Sequence, residues 1–459
     1  MKILASNFKN IGVGSLGIFA LALSPVHAAD SVSHYGVTVH FAEDHPTGQF
    51  ANGEPYIVLS GAGSVTGIDK PSIPIDSIFT GGAMLNPVPG GLQGFCPRNN
   101  NSTNPVRYSA ALDVSLICPF NVNTGDSLIV ATSIDAPLAG NNYVQSVVVF
   151  TFLAETPAAG SFRPSPYGIN RKVRFNVSDI NWACLKNLPT VPLAFSQAYM
   201  ENDEHLPALP FWEWHGNWDG SSIRPFQNCA ATENGLVGSG ARPSNYGRDI
   251  AAKWSRVALW LNLDLPQAVK KRTMIHTIQV GLDVAAFLDQ GLSFGGSGGH
   301  QVGNKFPLVL ASAALGAADG SDLVALAAAE NRFVEDGCTF FVTQADIDLK
   351  HESGGPANYI QSDLGLPDWG IGHWWIPQKD DRRFEAGNPY RFAQWPNMVG
   401  QVLAAELMGL KSAWNDDATF AYTDRFLGTM PFNTCFEEQM WDRYKVGRPS
   451  TPKGLKLKR

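Results

Sequence analysis

The chain has 459 residues, 16% of them charged and 44% hydrophobic, with a formal net charge of −7. That balance argues against a disordered chain and against nucleic acid or an anionic membrane surface as the main partner. Beyond the N-terminus, no stretch approaches the roughly 20 uninterrupted apolar residues of a membrane-spanning helix.

Lys2 and Lys9 flank the start of the apolar run "IGVGSLGIFALAL", and "SPVHAA" follows as a small-residue cleavage site. The pattern is that of a signal peptide, residues 1–28, cleaved after Ala28. The expectation is a secreted or periplasmic protein with a mature net charge of about −9, both lysines of the leader being lost. Six cysteines follow: Cys96, Cys118, Cys184, Cys229, Cys338 and Cys435. An even number in an exported chain favours disulfides. Nearest neighbours (96–118, 184–229, 338–435) are the simplest of the 15 connectivities that six cysteines allow. No CxxC or HExxH spacing occurs, so no metal or other cofactor is expected.

Residues 29–160 read as strands. "YGVTVHFA", "EPYIVLSGAG", "DVSLICPF", "DSLIVATS" and "YVQSVVVFTFLA" are β-branched and separated by Gly, Pro, Asn and Asp, which predicts an antiparallel β-sandwich. "AETPAAGSFRPSPYG" (154–168) reads as a linker. Helical periodicity takes over in residues 161–459. Ile250, Trp254, Val257, Ala258 and Leu261 mark one helix, and Pro266 opens another through Val269, Ile275, Ile278, Val284, Phe287 and Leu288. "KFPLVLASAALGAA", "SDLVALAAAENRFV", "PNMVGQVLAAELMGL" and "DDATFAYTDRFL" continue the series. Successive amphipathic helices predict an α/α toroid or an incomplete one. The whole is therefore expected as a multidomain α+β chain.

Candidate functional residues fall in the connectors, where a rigid helical rim would present them to a groove. In "GLSFGGSGGHQVGNKFP" glycines clear the approach to His300, and Asn304 and Lys305 follow at a helix start, where anions are favoured. "PDWGIGHWWIP" supplies Trp369, His373, Trp374 and Trp375. Such faces stack on sugar rings, although an aromatic core cluster gives the same pattern. "GNPYR" adds Tyr390 and Arg391. "PSNYGRD" adds Asn245, Tyr246, Arg248 and Asp249, and "FWEWHGNWDG" adds His215. Glu335 and Asp336 are the best adjacent carboxylates, and adjacency predicts that they point apart.

"HFAEDHPTGQFANGEPYIV", "GGHQVGNKFPLVLA", "GLPDWGIGH" and "AAELMGLKSAWNDDATFAYTDRF" resemble segments of a group of secreted bacterial proteins, through most of the mature chain. By architecture alone the chain is similar to alginate lyase and heparinase-type polysaccharide lyases of α/α-toroid fold. Their β domain often follows the toroid, whereas here it comes first, an order also seen in glycoside hydrolases of the same ring architecture. The resemblance implies β-elimination in a uronic-acid polysaccharide. His300 and Tyr390 (Tyr246 in reserve) would serve as base and acid, with Asn304, Lys305 and Arg391 neutralising the sugar carboxylate. A glycoside hydrolase would instead pair Glu335 or Asp336 with Asp249 or Asp368. A non-catalytic glycan-binding protein is the third reading, its tryptophans forming the platform.

Overall fold

The computed structural model describes residues 27–34, 36–69, 81–88, 91–95, 108–133, 144–167, 172–189, 207–212, 225–229, 247–294, 302–316, 322–330, 332–349, 359–370, 391, 394–429 and 436–445. The fold is mixed α+β, a curled N-terminal β-sheet followed by a helical region. β1 (His27–His34) and β2 (Val37–Gln49) form a hairpin that begins two residues ahead of the expected cleavage point, with His27 opposite Thr47. β3 (Pro55–Val58), β4 (Ala62–Asp69), β5 (Ala83–Leu85), β6 (Phe120–Asn123), β7 (Ser127–Ser133) and β8 (Val144–Leu153) complete one sheet. Its order is β5-β7-β8-β3-β2-β4-β6, with β1 also on β2. β3 and β8 run parallel, and the remaining pairs are antiparallel.

Strand β2 explains the curl. It pairs with β4 through Thr38–Phe41 and with β3 through Thr47–Gln49, and its register slips between His40 and Phe41. Such irregularities bend a strand and sharpen its twist. One long strand thus turns a corner, and the sheet closes into a half-barrel instead of dividing into the two facing sheets of the expected sandwich. Both faces are covered. Leu128, Val130, Val148, Phe150 and Phe152 meet Val37, Val39 and Ile57 on one side, while Ile129, Ala131 and Val149 alternate to the other and join the helical core. That two-sided burial is why "SLIVA" and "VVVF" are apolar at consecutive positions.

"DVSLICPF" is not the strand it was expected to be. It forms a 3₁₀ turn at Val114–Leu116, directly after another at Ala110–Leu112, before β6. The buried Asp113 carboxylate accepts from the Ser115 N–H (3.1 Å) and hydroxyl (2.6 Å), the Ala83 N–H (3.0 Å) and the Tyr108 hydroxyl (2.8 Å). Those local bonds outcompete a strand ladder. The expected linker is also packed: Phe162, Arg163 and Tyr167 are buried. The Arg163 guanidinium pairs with Glu54, beside the sheet, and with Asp283 at 2.6 Å, on a long helix. The core is accordingly continuous across the expected 160/161 boundary.

After a strand pair, β9 (Pro207–Trp212) with β10 (Pro225–Cys229), the helical region comprises α1 (Gly247–Leu261), α2 (Gln267–Asp289), α3 (Lys305–Leu315), α4 (Leu323–Ala327), α5 (Val334–Cys338), α6 (Val399–Leu407), α7 (Asp417–Thr429) and α8 (Phe436–Tyr444), among shorter turns. The expected apolar positions of α1 are all buried. α3 is buried on almost every side, as its nearly unbroken apolar sequence requires. α2 packs on α3, and α1 on α6. The helix expected over "SDLVALAAAENRFV" stops at Ala327. The chain then turns so that Arg332 C=O accepts from the Phe294 N–H (2.7 Å) and Phe333 stacks on Phe294 with centroids 5.5 Å apart. Tertiary pairing overrides the alanine-rich helix propensity. Among the described residues no helix is long and apolar enough to cross a membrane.

Candidate active site

Lys305 opens α3 and is 1% exposed. Its ammonium pairs with Asp336 and lies 5.5 Å from the ring centroids of both Phe333 and Trp414. Its backbone N–H, an orphan donor of the first helical turn, donates to Glu335 Oε1 at 3.1 Å. The adjacent acids of α5, expected to diverge, therefore converge on one residue. Glu335 takes its backbone and Asp336 its side chain.

A third carboxyl joins them. Asp416 precedes α7, where its Oδ1 accepts from the Ala418 N–H at 3.1 Å and its Oδ2 from the Thr419 hydroxyl. The Thr339 hydroxyl lies 2.7 Å from Asp416 Oδ2, 2.8 Å from the Glu335 carbonyl and 2.9 Å from the Thr419 hydroxyl. Thr339 begins β11 (Thr339–Phe341), which pairs with β12 (Pro367–Trp369) so that Thr339 faces Trp369. "NDDATF" carries an N-cap signal that marks Asp416 as a helix start, yet nothing in its spacing announces the two acids beside it.

The electrostatics follow from the inventory of one buried ammonium, the buried Glu335 carboxyl and two carboxyls, Asp336 and Asp416, that keep limited contact with water. Burial pushes Glu335 up to about 7, against the opposing pull of Lys305. Asp336 stands well above the usual carboxylate range, first because of burial and then because Asp416 and Glu335 repel its charge. Asp416 is raised by burial and held back by the Thr419 and Thr339 hydroxyls. Glu335 Oε2 and Asp336 Oδ1 are buried and accept no hydrogen bond among the described residues. An ionised carboxylate in that position costs far more than a neutral one. The cluster titrates as a unit, and burial favours its protonated forms.

A second buried pair adjoins it. Asp368 of β12 accepts from Arg391 at 2.5 Å, with Arg425 at 3.8 Å. α7 touches both clusters, offering Thr419 to the first and Tyr422, Thr423 and Arg425 to the second. Trp395 donates to the Thr423 hydroxyl at 3.0 Å, and its ring meets Tyr422 at 4.8 Å. Burial raises the Tyr422 hydroxyl, and Arg391 opposes the shift.

Of the residues singled out in the sequence, Glu335, Asp336 and Lys305 are thus brought together, and Asn304 sits beside them as the buried cap residue of α3. Trp369 is 1% exposed and packed in the core, so it offers no face to a sugar. Arg391 is fully buried on Asp368, so it is not a free partner for a substrate carboxylate. Arg248 is partly exposed in the first turn of α1. His300, Tyr390, Tyr246, Asn245, His373, Trp374, Trp375 and His215 lie outside the described residues, as do Cys96, Cys435 and the side chains of Asp249 and Cys229. Each expected disulfide thus has one side chain outside the described residues, and among the described residues there is no disulfide. Cys338 is buried in α5, Cys118 is partly buried, and burial pushes the Cys184 thiol up to about 11. No group of three or more His, Cys, Asp or Glu among the described residues has metal-binding geometry.

Comparison with protein-family models, with curated proteins and with solved structures finds no match to this chain.

Proposed function

We propose that this chain is an exported enzyme that cleaves a polysaccharide, with its chemistry centred on Glu335, Asp336 and Asp416. One observation carries the reading. Three carboxyls gather around the Lys305 ammonium and the start of α3, where burial favours the protonated form of Glu335 while hydroxyl and amide donors favour an ionised Asp416, a contrast that suits the division of labour in glycosidic hydrolysis. Asp336, with 7% of its side chain exposed, is the cluster member from which a proton would pass to the leaving oxygen. Asp416, stabilised by three hydrogen-bond donors, is the member best suited to stay ionised.

The cations favour hydrolysis over elimination. Lys305 and Arg391, the expected neutralisers of a uronic-acid carboxylate, are both engaged with carboxylates of the protein. Elimination keeps one support, the position of Asn304 and Lys305 together at the start of α3, and becomes the better reading if a sugar carboxylate displaces Asp336. The proposal includes export through the leader 1–28. It also includes an incomplete α/α toroid, supported by the packing of chain neighbours α2 and α3.

The test is a panel of neutral and uronic-acid polysaccharides incubated with the mature chain. New reducing ends without ultraviolet absorbance of unsaturated uronates mean hydrolysis. Both signals together mean elimination. Neither signal on any polymer removes the enzyme reading and leaves glycan binding, which retardation in a polysaccharide gel would reveal.

A further inference from the structure

A cleft of about 270 Å³ lies away from the carboxyl cluster, where the 172–175 segment meets the ends of α2 and α4. Its floor is apolar, with Phe175, Leu282 and Leu323 among its residues. Lys172 and Arg174 also line it, the Arg174 guanidinium 5.5 Å from the Phe175 ring centroid. Two carboxylates line it as well, Asp289 as the last residue of α2 and Asp322 just ahead of α4. Lys172, Asp289 and Asp322 are exposed and form no ion pair among the described residues.

Lys172 against Asp289 and Asp322, unpaired around an apolar lining, is complementary to a ligand that carries both charges. We propose that this cleft binds a small ω-amino carboxylate, with its ammonium toward Asp289 and Asp322 and its carboxylate toward Lys172. Size selects within that class. A 270 Å³ space taken as a sphere spans about 8 Å. In an α-amino acid the two charges are only about 3 Å apart, whereas a six-carbon ω-amino acid separates them by about 7 Å. The methylene chain then lies along the floor, where its burial is favourable. The site is independent of the carboxyl cluster and of whatever reaction occurs there.

6-Aminohexanoate is the probe, titrated calorimetrically into the full mature chain, with hexanoate, hexylamine and leucine in parallel. Lys172→Gln and Asp289→Asn are the variants, both at exposed positions where folding is not at stake. The expected result is saturable binding of 6-aminohexanoate, at least ten-fold weaker binding of each single-charge or short-spaced analogue, and at least a ten-fold loss in each variant. Absence of binding up to about 10 mM, a dissociation constant worth less than 3 kcal/mol, overturns the proposal. So does hexylamine or leucine binding equally well, or affinity unmoved by both substitutions.

Discussion

The ammonium of Lys305 and the carboxylate of Asp336 meet across 31 residues of sequence with side chains 1% and 7% exposed. Asp336 therefore shares one buried cation with two further carboxyls nearby. Removing the cation strands them. Lys305→Met is expected to cost about 3–5 kcal/mol at pH 7.5, the usual penalty for orphaning buried charge. The deficit should shrink at pH 5, where protons neutralise the acids instead. Denaturant titrations at the two pH values, with Lys305→Met/Asp336→Asn as a partial rescue, check it.

Glu335 gives a pH slope of definite sign. Its folded value, about 7, lies above its ordinary 4.5, so the folded chain holds the proton more tightly than the unfolded chain. The stability this supplies is complete below pH 4.5 and is lost as pH rises through 7, amounting to about 3 kcal/mol across the window. Glu335→Gln can still accept from the Lys305 N–H but has no proton to lose. The variant should gain on the parent between pH 5 and pH 8, measured as the difference in unfolding free energy. A difference that stays constant with pH would count against the shift.

Arg163 ties the sheet to the helices through Glu54 and Asp283. Arg163→Met leaves two carboxylates in the core and is expected to cost about 3–5 kcal/mol. Arg163→Lys should recover less than half of this, because a point charge does not replace a planar fork that meets two acids at once. Thermal unfolding of the three proteins decides it.

Gly303 combines a φ of +92° with a would-be Cβ 2.5 Å from the Ala251 Cα, whereas Gly291, at φ +78°, faces open space. Gly291→Ala should cost about 1 kcal/mol of backbone strain. Gly303→Ala should cost at least about 2 kcal/mol more, since backbone of α1 must move. Equal losses in the two variants would show that the contact yields easily.

Much of the fold was legible where period and burial coincide. Trp254, Val257 and Leu261 recur at helical spacing because one stripe of α1 is covered, and "SLIVA" is strand-like because both its faces are. Asp113 and Phe333 show what was not legible. A capping carboxylate converts one expected strand into a 3₁₀ turn, and a ring stacked across 39 residues ends one expected helix early. Of the site, Asn304, Lys305, Glu335 and Asp336 stand out by type and adjacency. Asp416 and Thr339 do not, because they lie 77 positions apart and meet only in the folded chain. Arg163 was hidden for a related reason. Prolines on either side give its segment the texture of a linker, and its partners are 109 and 120 residues distant.

The central claim is that the Glu335–Asp336–Asp416 cluster keeps a proton at neutral pH. Infrared titration in heavy water reads it without any substrate, through the carbonyl stretch of a protonated carboxyl. The account predicts such a band at pH 7, fading above it and reduced in Glu335→Gln. A spectrum at pH 7 that holds only ionised carboxylates would contradict it.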